Sequence, residues 1–177
     1  MAVQPNTGIV LDQGNEPQLK DKVTIVVFSG EMDKAIAAFN IATTAAAMGT
    51  EVCMFFTFWG LNVLKKDQVA LRGKGIMRKM LNLMNRGAAE KLPLSKFNMF
   101  GMGPWMMKKL MKESRLPSVE EMLKLAKESG VKIVACNTTI GMMGLSKSDF
   151  VSDIDAFAGA AYFLGEAKEG KMTLFIS

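Results

Sequence analysis

Apolar residues recur along this chain in two patterns, short β-branched runs and longer stretches with helical spacing. Val23-Thr-Ile-Val-Val-Phe28 is a β-branched run that stops at Ser29-Gly30, which predicts a strand closed by a turn. From Met32 to Met48 the positions Ala35, Phe39, Ala42 and Ala46 recur at helical spacing, and Gly49 is placed to end that helix. Glu51 to Thr57 reads as a second strand, closed by Trp59-Gly60. Strand, helix and strand in this order form a βαβ unit, which favours a parallel sheet.

Further along, Lys74 to Asn85 carries Ile76, Met77, Met80, Leu81 and Met84, an amphipathic helix with basic residues on its other side. Phe97 to Phe100 reads as a short third strand, stopped by Gly101 and Gly103. Pro104 can open a helix that continues from Met106 to Glu113. Ser118-Val-Glu-Glu121 is a capping-box signature for a helix reaching Ser129, with Gly130 ending it. Val131 to Cys136 is the next strand, and Asn137, Thr138 and Thr139 can cap a short helix after it. Ala156 to Ala167 reads as a final helix and Met172 to Ile176 as a last strand. The expected fold is α/β: a three-layer α/β/α sandwich around a mainly parallel five-stranded sheet. Residues 1–21 read as a polar, poorly ordered lead-in, and residues 22–177 as one domain with a Met-rich basic helical segment at about 65–115.

Composition narrows the chemistry. No apolar run reaches the roughly 20 residues that span a bilayer. The first residues lack the basic start and apolar stretch of a signal peptide, so a cytoplasmic location is expected. The chain has no histidine, which removes the commonest general base and the usual Ser and Cys triads. Two cysteines without a CxxC pattern are too few for a thiolate metal site, so neither metal nor cofactor is expected. In a reducing compartment they should be thiols. Net charge is +5, yet residues 65–115 hold thirteen Lys or Arg against three acids, +10, which leaves −5 for the remainder. Such asymmetry marks a local basic surface. One Tyr and two Trp offer little base stacking, so no nucleic-acid partner is expected.

Cys136 is the sharpest chemical candidate. Ligands of parallel α/β sheets collect beyond the carboxyl ends of strands, where Cys136 should stand with Thr138 and Thr139 opening the next helix. Free N–H donors there would stabilise a thiolate and lower its pKa; a small apolar residue filling a strand end is the plainer reading. Cys53, between Val52 and Met54, reads as a buried, inert thiol. Ser29-Gly30-Glu31-Met32-Asp33-Lys34 occupies the position of a phosphate loop without its glycine spacing. It reads as a turn and helix start, from which Ser29, Gly30, Asp33 and Lys34 can line the crevice of Cys136. The methionines at 77, 80, 84, 99, 102, 106, 107 and 111 suit a partner groove, a lid over the thiol or a membrane-surface patch beside the lysines. A subunit interface or ordinary core is the plainer account of them.

Several stretches together resemble the DsrE/DsrF-like family: Ser29 to Lys34, Gly49-Thr-Glu-Val52, Phe55-Phe-Thr-Phe-Trp-Gly60, Asn98-Met-Phe-Gly-Met-Gly-Pro104, Ala135-Cys136 and Gly141-Met-Met-Gly144. The likeness is to its larger, Met-rich branch, often labelled peroxiredoxin-like, and runs from Lys22 to Ser177. It implies a five-stranded parallel α/β/α fold, oligomeric assembly (here a homo-oligomer) and sulfur relay. In that family a cysteine at a strand end carries sulfane sulfur as a persulfide and exchanges it with TusA-like or rhodanese-type carriers. The corresponding position is Cys136, which would make the protein sulfurtransferase-like. No second cysteine stands near Cys136 in sequence, so an intermolecular handoff is the expected mechanism.

Two competing readings remain. A thiol peroxidase would need Pro and Thr ahead of the cysteine and an Arg beside it, whereas the sequence there is Lys132-Ile-Val-Ala-Cys136. A non-enzymatic oligomeric module would instead hold a partner protein or an apolar ligand in the Met-rich pocket between Lys74 and Met111.

Overall fold

The structure, a computed structural model, describes residues 19–66 and 89–177. Its sheet has five strands: β1 (Lys20–Val27), β2 (Glu51–Phe56), β3 (Lys132–Cys136), β4 (Ala156–Ala158) and β5 (Gly170–Ile176). They stand in the order β4-β3-β2-β1-β5, and every pairing is parallel. Alternation along each strand divides the apolar residues between two faces. Ile25, Val27, Val52, Met54, Phe56, Ile133 and Ala135 point into the larger core, under α1 (Met32–Ala47) and the helix Val119–Glu128. Cys53, Phe55, Val134 and Cys136 point to the other face, which the helix Ala160–Glu169 covers.

Local sequence accounts for the helix ends. α1 buries Met32, Ala35, Ala38, Phe39 and Ala42 along one stripe. Gly49 follows with φ +84°, a left-handed turn that costs glycine nothing. The next helix, α2 (Met102–Glu113), carries Pro104 in its first turn, and α3 (Val119–Glu128) starts with a full capping box. Ser118 N–H donates to Glu121 Oε2 at 2.7 Å, and Glu121 N–H returns to Ser118 Oγ at 3.3 Å. The remaining helices are α4 (Asn137–Met143) and α5 (Ala160–Glu169).

Three expectations from the pattern are corrected. Phe97 to Phe100 is no strand: Phe97 and Met99 take φ of +59° and +36°. Gly101 N–H closes a tight turn onto Asn98 O at 2.7 Å, so the chain coils into α2. Ala156 to Ala158 belongs to the sheet, not to the last helix. Asp155 N–H donates to Ile133 O and its Oδ2 accepts from the Ile133 amide, which lays the next three residues along β3. Asn137 does not cap α4 but is its first residue, its Nδ2 donating to Phe157 O at 2.7 Å. The lead-in and the helix expected at Lys74 to Asn85 lie outside the described residues.

Candidate functional site

Cys136 ends β3 and directly precedes the seven-residue α4. Its side chain shares the α5 face with Cys53, Phe55 and Val134, against which Ala158, Tyr162 and Phe163 pack. Parallel register pairs Phe56 with Ala135. One step further, Thr57 comes beside Cys136 on that same face. Thr57 Oγ1 lies 3.0 Å from Thr139 Oγ1, and Phe58 N–H donates to Thr139 Oγ1 at 3.5 Å. Burial, 6 % exposure, works to raise the Cys136 pKa. Stabilisation of the thiolate by the Thr139 hydroxyl and amide, the Thr57 hydroxyl and the Thr138 amide outweighs it, so the thiol is held below its ordinary value. An acidified, shielded thiol beside several donors is equipped to act as a nucleophile.

The second thiol is built differently. Cys53 is 1 % exposed, and burial pushes it up to about 11, with the Glu166 carboxylate adding to the shift. It pairs with Lys132 in register, so it lies about 13 Å along the strands from Cys136. A disulfide needs Cα atoms within roughly 7 Å, which excludes an internal bridge between the two in this fold.

Thr57 is held by the turn that follows it. Phe58 takes φ +47°, a conformation that non-glycine residues adopt at a cost, and its ring stacks on Phe28 at 5.0 Å. Gly60 N–H bonds Phe28 O at 2.8 Å, and a Cβ on Gly60 would meet Val27 O at 2.1 Å. A Cβ on Gly30 would meet Trp59 O at 2.5 Å. Both glycines therefore let the turn lie flat on the end of β1. Gly60→Ala should cost about 2 kcal/mol, read as a lower urea midpoint at unchanged slope.

Of the sequence-derived candidates, Cys136, Thr138 and Thr139 come together. Ser29, Gly30, Asp33 and Lys34 sit at the end of β1, two strands away, and have partners of their own. Ser29 Oγ donates to Glu31, Lys34 pairs with Glu31 at 2.8 Å, and Asp33 accepts from Ser95 N–H at 3.0 Å. Thr57 was not singled out from sequence. The available signal was its place at the end of the strand neighbouring β3, one residue past the last paired position.

The Met-rich segment divides by face. Met111 is buried and Met107 half-buried, whereas Met102, Trp105, Met106 and Leu110 of α2 are exposed, with Phe97 and Met99 beside them. Met77, Met80 and Met84 lie outside the described residues. A cleft of about 730 Å³ between α2 and the start of α3 is lined by Met32, Met111, Lys112 and Leu116. It opens on the α1 side of the sheet, the face opposite the Cys136 thiol. Among the described residues no group of three or more Cys, Asp or Glu could hold a metal ion, and no helix is long and apolar enough to cross a membrane.

Residues 19–175 match the model of the DsrE/DsrF/DrsH-like family. The chain belongs to that family. It is 44 % identical over 155 residues to the YrkE protein of Bacillus subtilis (strain 168), covering 88 % of this chain and 96 % of that one. It is 36 % identical over 158 residues to the sulfur carrier protein DsrE2 of Allochromatium vinosum, covering 88 % and 98 %. The crystal structure of the ychN protein from E. coli superposes with a TM-score of 0.53 at 9 % identity, over 89 % of this chain and 99 % of that one. That likeness shows the fold, a parallel five-stranded α/β sheet with helices, in agreement with the sequence reading.

Proposed function

We propose that this family member is a sulfur-relay protein that carries sulfane sulfur as a persulfide on Cys136 and exchanges it with other carriers. The observation that carries the reading is the placement of Cys136 at the end of β3 before α4, with the Thr57 and Thr139 hydroxyls, 3.0 Å apart, at the same strand ends. Membership of the family and the likeness to a sulfur carrier support a role in sulfur relay in general.

In the forward step the Cys136 thiolate attacks the outer sulfur of a donor persulfide. A new S–S bond forms to Cys136, the donor's S–S bond breaks, and the donor leaves as a thiolate with the electron pair. Electrons balance without an oxidant. The return step is the same attack by an acceptor thiolate on the outer sulfur now held on Cys136. The distance and burial of Cys53 favour exchange between molecules over internal resolution. TusA-like or rhodanese-type carriers are the partners that fit, and the cations of residues 65–115 would steer an acidic one.

The α5 face supports a homo-oligomer. α5 has no fully buried residue, and its Leu164 and Phe175 of β5 stand exposed. Such apolar exposure is what a subunit contact covers.

Intact-mass measurement after exposure to polysulfide or a persulfidated carrier tests the reading, with wild type, Cys136→Ser and Cys53→Ser side by side. The expected result is a gain of one sulfur in wild type and Cys53→Ser that is lost in Cys136→Ser. No loading, or equal loading of both single-cysteine variants, would leave Cys136 as packing and favour the binding module.

A further inference from the structure

Two hydroxyls stand beside the strand-end Cys136, one from the helix that follows it and one from the end of the neighbouring strand. Thr139 belongs to α4, three residues after Cys136, so the same local chain that places the thiol also places its hydroxyl. Thr57 comes from the end of β2, 79 positions earlier in the chain. Only sheet pairing brings it beside Cys136.

Counting protons shows what this second hydroxyl can do. Each threonine hydroxyl has one proton to donate and lone pairs to accept with. The Phe58 amide already points at Thr139 Oγ1. While Cys136 is a neutral thiol, the two hydroxyls can bond each other across 3.0 Å. A thiolate accepts only, so both protons can then turn to the sulfur, while Phe58 N–H still fills an acceptor site on Thr139. The pair exchanges one mutual hydrogen bond for two charge-assisted ones, which are stronger than neutral ones.

We propose that Thr57 is a further catalytic residue of the Cys136 site, donating its hydroxyl proton to the sulfur as it becomes anionic. This deepens the reading of Cys136 as the sulfur-bearing nucleophile and rests on it. The outgoing thiolate of the return step is the same Cys136 sulfur, so Thr57 would assist both directions of transfer. The strained turn at Phe58, with Gly30 and Gly60 packed beneath it, then has a chemical role: it presents the Thr57 hydroxyl from the neighbouring strand.

Other ionisable groups near the thiol are engaged elsewhere. Tyr162 is the titratable residue that α5 brings to the same cluster, and Lys132 Nζ lies over its ring at 5.1 Å from the centroid, with Glu166 bonded to that lysine. Those two lie toward the far end of β3, near Cys53 rather than Cys136.

The pH profile of Cys136 alkylation by iodoacetamide, followed peptide by peptide in the intact chain, tests the proposal without any sulfur donor. In Thr57→Val the rate at pH 7 should fall about tenfold, with the profile displaced to higher pH and the alkaline plateau unchanged. Thr57→Ser should stay near wild type, because it keeps the hydroxyl and loses only the methyl. Superimposable profiles for wild type and Thr57→Val would overturn the proposal. So would an equal loss in Thr57→Ser and Thr57→Val, which would make the methyl's packing the cause. Sulfur loading of wild type, measured separately by mass, reports on the persulfide itself, so failure of that reading and failure of this one give different results.

Discussion

Glu166→Gln is expected to lower the stability of this protein by about 3 kcal/mol at pH 7, and the deficit should vanish in acid. Glu166 lies on α5 against the polar end of the second sheet face. Its carboxylate takes Lys22 Nζ at 2.5 Å and Lys132 Nζ at 3.0 Å. Lys22 is 3 % exposed, and Glu51, at 3.1 Å, is its other close partner. Burial works to raise the Glu166 carboxyl, but the bonds from Lys22, Lys132 and Tyr162 outweigh it and hold the group at about 2, against a usual 4.5. Lys22 is raised in turn, its carboxylate partners overcoming the burial that would lower it. The glutamine variant keeps the volume and leaves a buried ammonium with one carboxylate fewer.

The direction with pH follows from linkage. A carboxyl depressed in the folded state contributes fully above its unfolded value near 4.5 and loses that contribution as pH falls toward 2. Urea unfolding of wild type and Glu166→Gln at pH 7, 5, 4 and 3 should show the gap narrowing through this window. A gap that stays constant down to pH 3 would show that packing, not charge, is what Glu166 supplies.

Phe56→Ala should cost about 4 kcal/mol, the largest loss expected from a single apolar truncation here. Phe56 is fully buried on the α1 face of β2, its ring 6.1 Å from that of Phe39. Removing it deletes the side chain that joins the middle of the sheet to the middle of α1. Leu61, Val63 and Leu64 belong to the same core, close-packed regular structure that cannot collapse into the space without moving the 3-10 helix Phe58–Leu64. Domains of this size are stable by only about 5–15 kcal/mol, so a substantial part of the total is at stake. A urea midpoint lowered by less than the equivalent of about 2 kcal/mol would show that the core relaxes around the gap. The folded fraction should keep the wild-type alkylation profile of Cys136, because Phe56 faces away from that thiol.

Much of the fold was legible before any coordinates. The β-branched run at Val23, the helix ended by Gly49 and the capping box at Ser118 each state their element in a few adjacent residues. These are local signals, decided within one or two turns of chain, and the structure places the elements within about three residues of the pattern. The Phe97 stretch misled because two aromatic residues and a methionine also suit a strand. What overrides the propensity is a pair of left-handed residues and a glycine that coil the backbone instead. Ala156 to Ala158 misled in the opposite direction: alanine favours helix, and only the free edge of β3 makes a strand of it.

The candidate site shows the same division. That Cys136 ends a strand and opens a helix follows from Val131 to Thr139 read alone, and so does the placement of the Thr138 and Thr139 amides. That Cys53 is buried follows from its apolar neighbours. The sequence by itself thus determined most of the elements, the parallel α/β class and the place of Cys136 at a strand end, because hydrophobic period and caps act over short distances. Tertiary structure alone decided that Thr57 stands beside Cys136 at the strand ends, that Ser29, Asp33 and Lys34 stand at the end of β1, two strands away, and that Lys22 and Glu166 form a buried pair. Those contacts depend on strand order and register, which arise from the burial of two whole sheet faces together and are written in no short segment of the chain.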